Sequence, residues 1–147
     1  MLLAIDPGTI ESAYIVRDGH ATIEAGKISN DAMLMYCWGF RPTGGECCIE
    51  MIASYGMPVG AEVFETCVWI GRFLEAVGPE HCHRLPRLKV KLHLCGSARA
   101  KDGNIRQAII DRLGPPGTKK QPGGTYGISG DVWAALALAL AWEDGIR

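Results

Sequence analysis

The feature that most constrains this chain is its opening, Leu2-Leu3-Ala4-Ile5-Asp6-Pro7-Gly8-Thr9. Four apolar residues, then a carboxylate, then Pro-Gly, describe a strand buried on both faces that stops at a tight turn. A strand of this kind lies inside a sheet covered on both sides, so the chain is expected to fold as a layered α/β structure. Asp6 then stands at the rim of the sheet, where ligands bind in such folds and where a side chain at a central strand's end is held rigidly. A turn cap before Pro-Gly is the other reading of Asp6, and the rest of the chain has to separate the two.

A length of 147 residues suits one domain, residues 1–147, large enough to bury a core without disulfides or metals. With 48% hydrophobic and 21% charged residues the composition is that of a soluble protein, and no apolar run approaches the roughly 18 residues of a membrane span. The N-terminal apolar run is short and lacks a preceding basic segment, which points to the cytoplasm and to reduced thiols. Cys37, Cys47, Cys48, Cys67, Cys82 and Cys95 have no regular spacing and read as small core residues. His81-Cys82-His83 with Cys95 matches no standard zinc spacing, and exposed loop residues are the simpler reading.

The net charge of −1 hides an asymmetry. Residues 1–80 hold four basic and eleven acidic side chains, whereas residues 81–120 hold ten basic side chains against Asp102 and Asp111. One basic stretch on a nearly neutral protein is the footprint expected of a phosphate-binding surface, and a solvated basic face is its alternative.

Along the chain, Ser12–Val16 reads as a second strand, and Asp18-Gly19 as a hairpin turn into a third over His20–Ala25. Ser29-Asn30-Asp31 supplies capping chemistry for a helix over Ala32–Trp38, with Gly39 and Pro42 as its stop. Cys47–Ile52 is a fourth strand carrying one carboxylate, Glu50. A lone Glu among apolar neighbours loses more by desolvation than it gains by packing unless a cation or metal partners it; an edge-strand Glu facing solvent is the alternative.

Val59–Val77 is the longest predicted helix, with two nearly opposite apolar stripes. One stripe covers the sheet; the other, through Trp69 and Phe73, is expected to form a homodimer contact, unless the helix is covered on both faces within one subunit. Leu88–Leu94 alternates basic and apolar residues as a half-exposed strand with a cationic face does. A helix over Asn104–Leu113 follows, then a Gly- and Pro-rich segment to Gly130 with Lys119, Lys120 and Tyr126, read as a mobile basic loop or a plain linker. Asp131 opens a final helix over Val132–Trp142, where its charge also suits the helix dipole.

Asp6, Glu50 and Asp131 converge if the first and fourth strands are neighbours and the last helix packs on the sheet. Clustered carboxylate oxygens suit hard divalent cations, and two such ions can clamp an in-line phosphoryl displacement. Through Leu3-Ala4-Ile5-Asp6-Pro7-Gly8-Thr9, Ile49-Glu50-Met51, Lys89-Val90-Lys91-Leu92-His93-Leu94, Lys101-Asp102-Gly103-Asn104-Ile105-Arg106 and Gly130-Asp131-Val132-Trp133-Ala134-Ala135-Leu136-Ala137, the chain resembles the RuvC family of Holliday junction resolvases, within the RNase H-like superfamily, and most of all its bacteriophage-encoded members.

That resemblance implies an α/β, RNase H-like fold: a five-stranded mixed sheet, its first three strands antiparallel, flanked by helices. It also implies a homodimer that nicks four-way or branched DNA symmetrically by hydrolysis, with Mg2+ as cofactor and Mn2+ able to substitute, in the host cytoplasm if phage-encoded. Asp6, Glu50 and Asp131 would hold the metals and Lys101 would lie beside the active site. Tyr55, Arg87, Lys89, Lys91, Arg99, Lys101, Arg106, Lys119 and Lys120 would contact DNA. Many members carry a fourth acidic residue in the last helix where this chain has Ala134, which leaves Glu65 and Asp102 as candidates to complete the site. The rival readings are a less selective branched-DNA nuclease, an inert junction binder, and a fragment of an actin-like ATPase, whose first phosphate loop Asp6-Pro7-Gly8-Thr9 also resembles. No membrane association is expected.

Overall fold

Strand β1 (Leu2–Asp6) is the central strand, as its apolar run requires. A computed structural model describes residues 1–147. β1 pairs antiparallel with β2 (Glu11–Asp18), which pairs antiparallel with β3 (Ala21–Ser29). On its other side β1 runs parallel to β4 (Glu46–Met51), and β4 runs parallel to β5 (Cys82–Pro86). The sheet order is therefore β3-β2-β1-β4-β5, a five-stranded mixed sheet with its first three strands antiparallel.

Strand alternation sends side chains to two cores. Leu3, Ile5, Cys47 and Ile49 face α1 (Asn30–Phe40) and α2 (Ala61–Val77), together with Met33, Cys37, Ile70 and Phe73. Leu2, Ala4 and Cys48 face the other layer, built from α3 (Arg87–Cys95), α4 (Asp102–Leu113) and α5 (Val132–Glu143). The alanine-leucine run of α5 is buried nearly all round, because the sheet lies on one side and α3 and α4 on the other. No helix is long and apolar enough to cross a membrane.

Several expectations change. Residues 88–94 form helix α3, and the missing strand is β5 just before it. Pro86 ends β5 at the N-cap of α3, and Gly96, at φ 66°, ends α3 by donating its N–H to Leu92 O at 2.9 Å. Leu, Lys and Arg are good helix formers, so the same alternation serves a helix with Val90 buried and Leu94 and Cys95 packed against the core. The basic side chains consequently radiate around a helix and do not share one strand face.

His81-Cys82-His83 is not an exposed loop: Cys82 lies in the α1–α2 core, while His83 on the opposite face stacks on Trp142 with ring centroids 4.5 Å apart. All six cysteines are free.

The expected dimer contact through Phe73 is also corrected. Phe73 is wholly buried against the sheet with Ile70, Ala76 and Val77, and Trp69 is half-buried beside it, ring centroids 5.8 Å apart. The apolar side chains that α2 leaves in solvent are Phe64 and Val68. The segment between α4 and α5 is a hydrogen-bonded turn rather than an open loop: Gly117 bridges Pro122, Thr118 and Gln121 exchange backbone bonds, and buried Thr125 donates its hydroxyl to Gly114 O at 2.9 Å. Lys119 and Lys120 stand exposed at its tip.

Candidate active site

Parity places the two strand carboxylates on one face. Asp6 follows Leu2 and Ala4, and Glu50 follows Cys48, so both point to the α3–α4–α5 side at the ends of adjacent parallel strands. Asp131 is the N-cap residue of α5, which crosses that face. Asp6, Glu50, Asp131 and Asp102 line one cavity of about 140 Å³ with Arg87, Trp133 and Ala134. Asp6 and Asp131 also border an open groove that runs along Pro7-Gly8-Thr9 to Lys27.

The turn after Asp6 is fixed by a buried polar cluster. Ser12 Oγ donates to Asn30 Oδ1 at 2.7 Å, and Asn30 Nδ2 donates to Gly8 O at 2.9 Å. Ser12 and Asn30 are almost fully buried, so these bonds are formed at little competition from water and hold the strand end in place.

Two cations face the carboxylates. Arg87 Nη1 lies 3.2 Å from each oxygen of Glu50, and its Nη2 lies 2.6 Å from Asp102 Oδ1. Lys27 Nζ lies 2.8 Å from Asp131 Oδ2. Asp6 has no such partner. Its burial, then the nearby Glu50 charge, push its carboxyl from an ordinary 3.8 up to about 7; Arg87 offsets part of this, while Asp131 and Asp102 add to it. Burial raises Glu50 as well, against the lowering effect of Arg87. The site thus carries more negative charge than its own cations neutralise.

The donor set is all carboxylate oxygen, which suits Mg2+ or Mn2+ and not zinc-type coordination. With Glu50 turned to Arg87 and Asp131 to Lys27, no three acidic, His or Cys side chains stand close enough together to cage an ion in this arrangement. The fit is therefore one of chemistry and common location, and it requires those two ion pairs to open.

Of the other predicted residues, Lys101 is exposed at the N-cap of α4, its N–H donating to Asn104 Oδ1 at 2.9 Å, next to Asp102 at the cavity edge. Tyr55, exposed and at φ 49°, shares a neighbouring hollow with Arg87 and Lys91. Arg106 lies over the Trp133 ring at 4.9 Å, and Arg99 is exposed. Lys89 departs from the group, its ammonium bonding Arg147 O at the chain's end. Ala134 lines the cavity as the resemblance implied, Asp102 lies across from it, and Glu65 is excluded because α2 covers the opposite face of the sheet.

Lys27 was not singled out from the sequence. Its signal lay in strand register: Asp6 pairs with Ala13, and Ala13 with Lys27, which puts all three in one row on one face.

This sheet order with its flanking helices is the RNase H-like class of α/β fold. Within it the chain has the fold of RuvC. It superposes on the Thermus thermophilus RuvC structure with a TM-score of 0.67 at 15% identity, over 99% of this chain and 96% of that one. It superposes equally, at 0.67 and 15%, on T. thermophilus RuvC in complex with a Holliday junction substrate, over 95% of this chain and 90% of that one. No protein-family model matches the sequence, and no curated protein matches it significantly.

Proposed function

We propose that the protein is a metal-dependent endonuclease that cuts four-way or branched DNA by phosphodiester hydrolysis. The observation that carries this reading is the gathering of Asp6, Glu50 and Asp131 around one cavity, in a fold shared with a RuvC solved on a Holliday junction substrate. Mg2+ or Mn2+ held by Asp6, Glu50 and Asp131 would supply positive charge to the phosphate oxygens and lower the pKa of an attacking water.

The chain's own residues do the rest. Asp6 and Glu50 are fixed in position by paired strands, and a cation would gain their oxygens once Arg87 leaves Glu50 and Lys27 leaves Asp131. Asp6, whose carboxyl is raised to about 7 by burial and the neighbouring acids, would give up its proton on holding a cation. Lys101, exposed beside the cavity, can meet the DNA backbone next to the cut phosphate. Lys91, Arg99, Arg106, Lys119 and Lys120 provide sequence-independent phosphate contacts, and Tyr55 offers an exposed ring on which a junction base can stack. For a homodimer, Phe64 and Val68 are the apolar surface available on α2.

A second reading, a junction binder that does not cut, is favoured by one observation: both Glu50 and Asp131 are already paired with cations. Metal-dependent nicking of a four-way junction, lost in Asp6→Asn while junction binding persists, supports the nuclease. Binding without nicking by the unmodified protein in Mg2+ and in Mn2+ supports the binder.

A further inference from the structure

We infer that Arg87 is a built-in counter-cation that competes with divalent metal for Glu50, and that Asp102 is the anchor that keeps the displaced guanidinium at the rim of the site; this rests on the metal-site reading above. One guanidinium spans two unlike carboxylates. Glu50 is held in β4 with its side chain 11% exposed, whereas Asp102 is 82% exposed at the start of α4. A single nitrogen, Nη1, reaches both Glu50 oxygens at 3.2 Å, so the oxygens a hard cation needs are already engaged. The contact with Asp102, at 2.6 Å, is made by the other terminal nitrogen.

The two contacts are therefore separable. A cation arriving at Glu50 displaces Nη1 without touching the Nη2 bond to Asp102. Arg87 occupies the first residue of α3, where the helix dipole disfavours a cation, so the carboxylates, not the helix, keep it there. Asp102 lies in the first turn of α4, where the dipole favours its charge and makes it a stable anchor. Arg87 is on this account a positioning residue, setting how much metal is needed before Glu50 is released.

The test is calorimetric titration of Mn2+ into the DNA-free protein, with Arg87→Gln, Asp102→Asn and the double variant, and Glu50→Gln as reference. Arg87→Gln is expected to bind Mn2+ about two- to fivefold more tightly than the unmodified protein, the scale of one partly exposed ion pair. Asp102→Asn is expected to weaken binding more when Arg87 is present than when it is absent. Arg87→Lys, which keeps the charge but loses the fork, is expected to fall between, and it carries the comparison if Arg87→Gln does not fold. Equal or weaker binding by Arg87→Gln overturns the inference, as does an Asp102→Asn effect as large in the double variant as with Arg87 present, which would make Asp102 act on the metal directly. Binding lost in Glu50→Gln but insensitive to Arg87 overturns the inference alone. No Mn2+ binding by any form overturns the metal-site reading, and the inference with it.

Discussion

Arg17, in β2, and Glu143, the last residue of α5, are 126 positions apart and joined at 2.7 Å through Nε and Oε1. A second bond links Nη2 to Oε2 at 3.2 Å, and the guanidinium also reaches Thr22 Oγ1 and His20 O. Arg17 is 2% exposed, so its charge is compensated almost wholly by these partners. The pair pins the C-terminal end of α5 to the sheet, and α5 presents Asp131 at its other end. Glu143→Ala leaves a buried guanidinium without its counter-charge and is expected to cost about 2–4 kcal/mol, measured by urea denaturation. Glu143→Gln, which keeps an acceptor, is expected to cost less.

The raised pKa of Asp6 makes the metal-free protein pH-sensitive in a defined direction. The folded state keeps a proton up to about pH 7 that the unfolded chain releases near 3.8. Stability from this group is thus complete below about pH 4 and is lost as pH rises through 7. In EDTA, the unmodified protein is expected to lose on the order of 1–3 kcal/mol relative to Asp6→Asn between pH 4 and 8. Parallel stability curves for the two proteins would contradict the assignment. Mn2+ at pH 8 is expected to restore the unmodified protein and not the variant.

Lys119 and Lys120 stand at the tip of the turn between α4 and α5, away from the carboxylates. If they meet phosphates, Lys119→Ala/Lys120→Ala is expected to weaken junction binding alike for all junction sequences. The slope of log affinity against log salt should flatten by about 1–2 in magnitude. An unchanged slope would remove this turn from the DNA interface.

What the sequence revealed and what it hid have identifiable causes. The apolar run of β1 announces a central strand because only a strand covered on both faces tolerates four such residues. Even spacing from Leu2 to Asp6 and from Cys48 to Glu50 then sends both acids to one face, so the main carboxylates are legible from alternation. Residues 88–94 are ambiguous because Leu-Lys alternation fits a short helix as well as a strand, and β5 escapes notice because Cys82-His83-Arg84-Leu85-Pro86 has only two wholly buried side chains. In α2 apolar residues occur almost all round the helix, so sequence alone does not say that Phe73 faces the sheet and Phe64 faces solvent. Lys27 and Arg87 as partners of Asp131 and Glu50 depend on strand register and on the placement of α3, neither of which local pattern supplies.

The most direct test of the nuclease reading is a gel assay on a labelled four-way junction and a linear duplex of matching sequence, in Mg2+, Mn2+ or EDTA, for the unmodified protein and Glu50→Gln. The account predicts paired nicks near the crossover of the junction only, present with either metal, absent in EDTA and absent in Glu50→Gln. Nicking that survives EDTA or Glu50→Gln, or junction binding with no nicks in either metal, would contradict it.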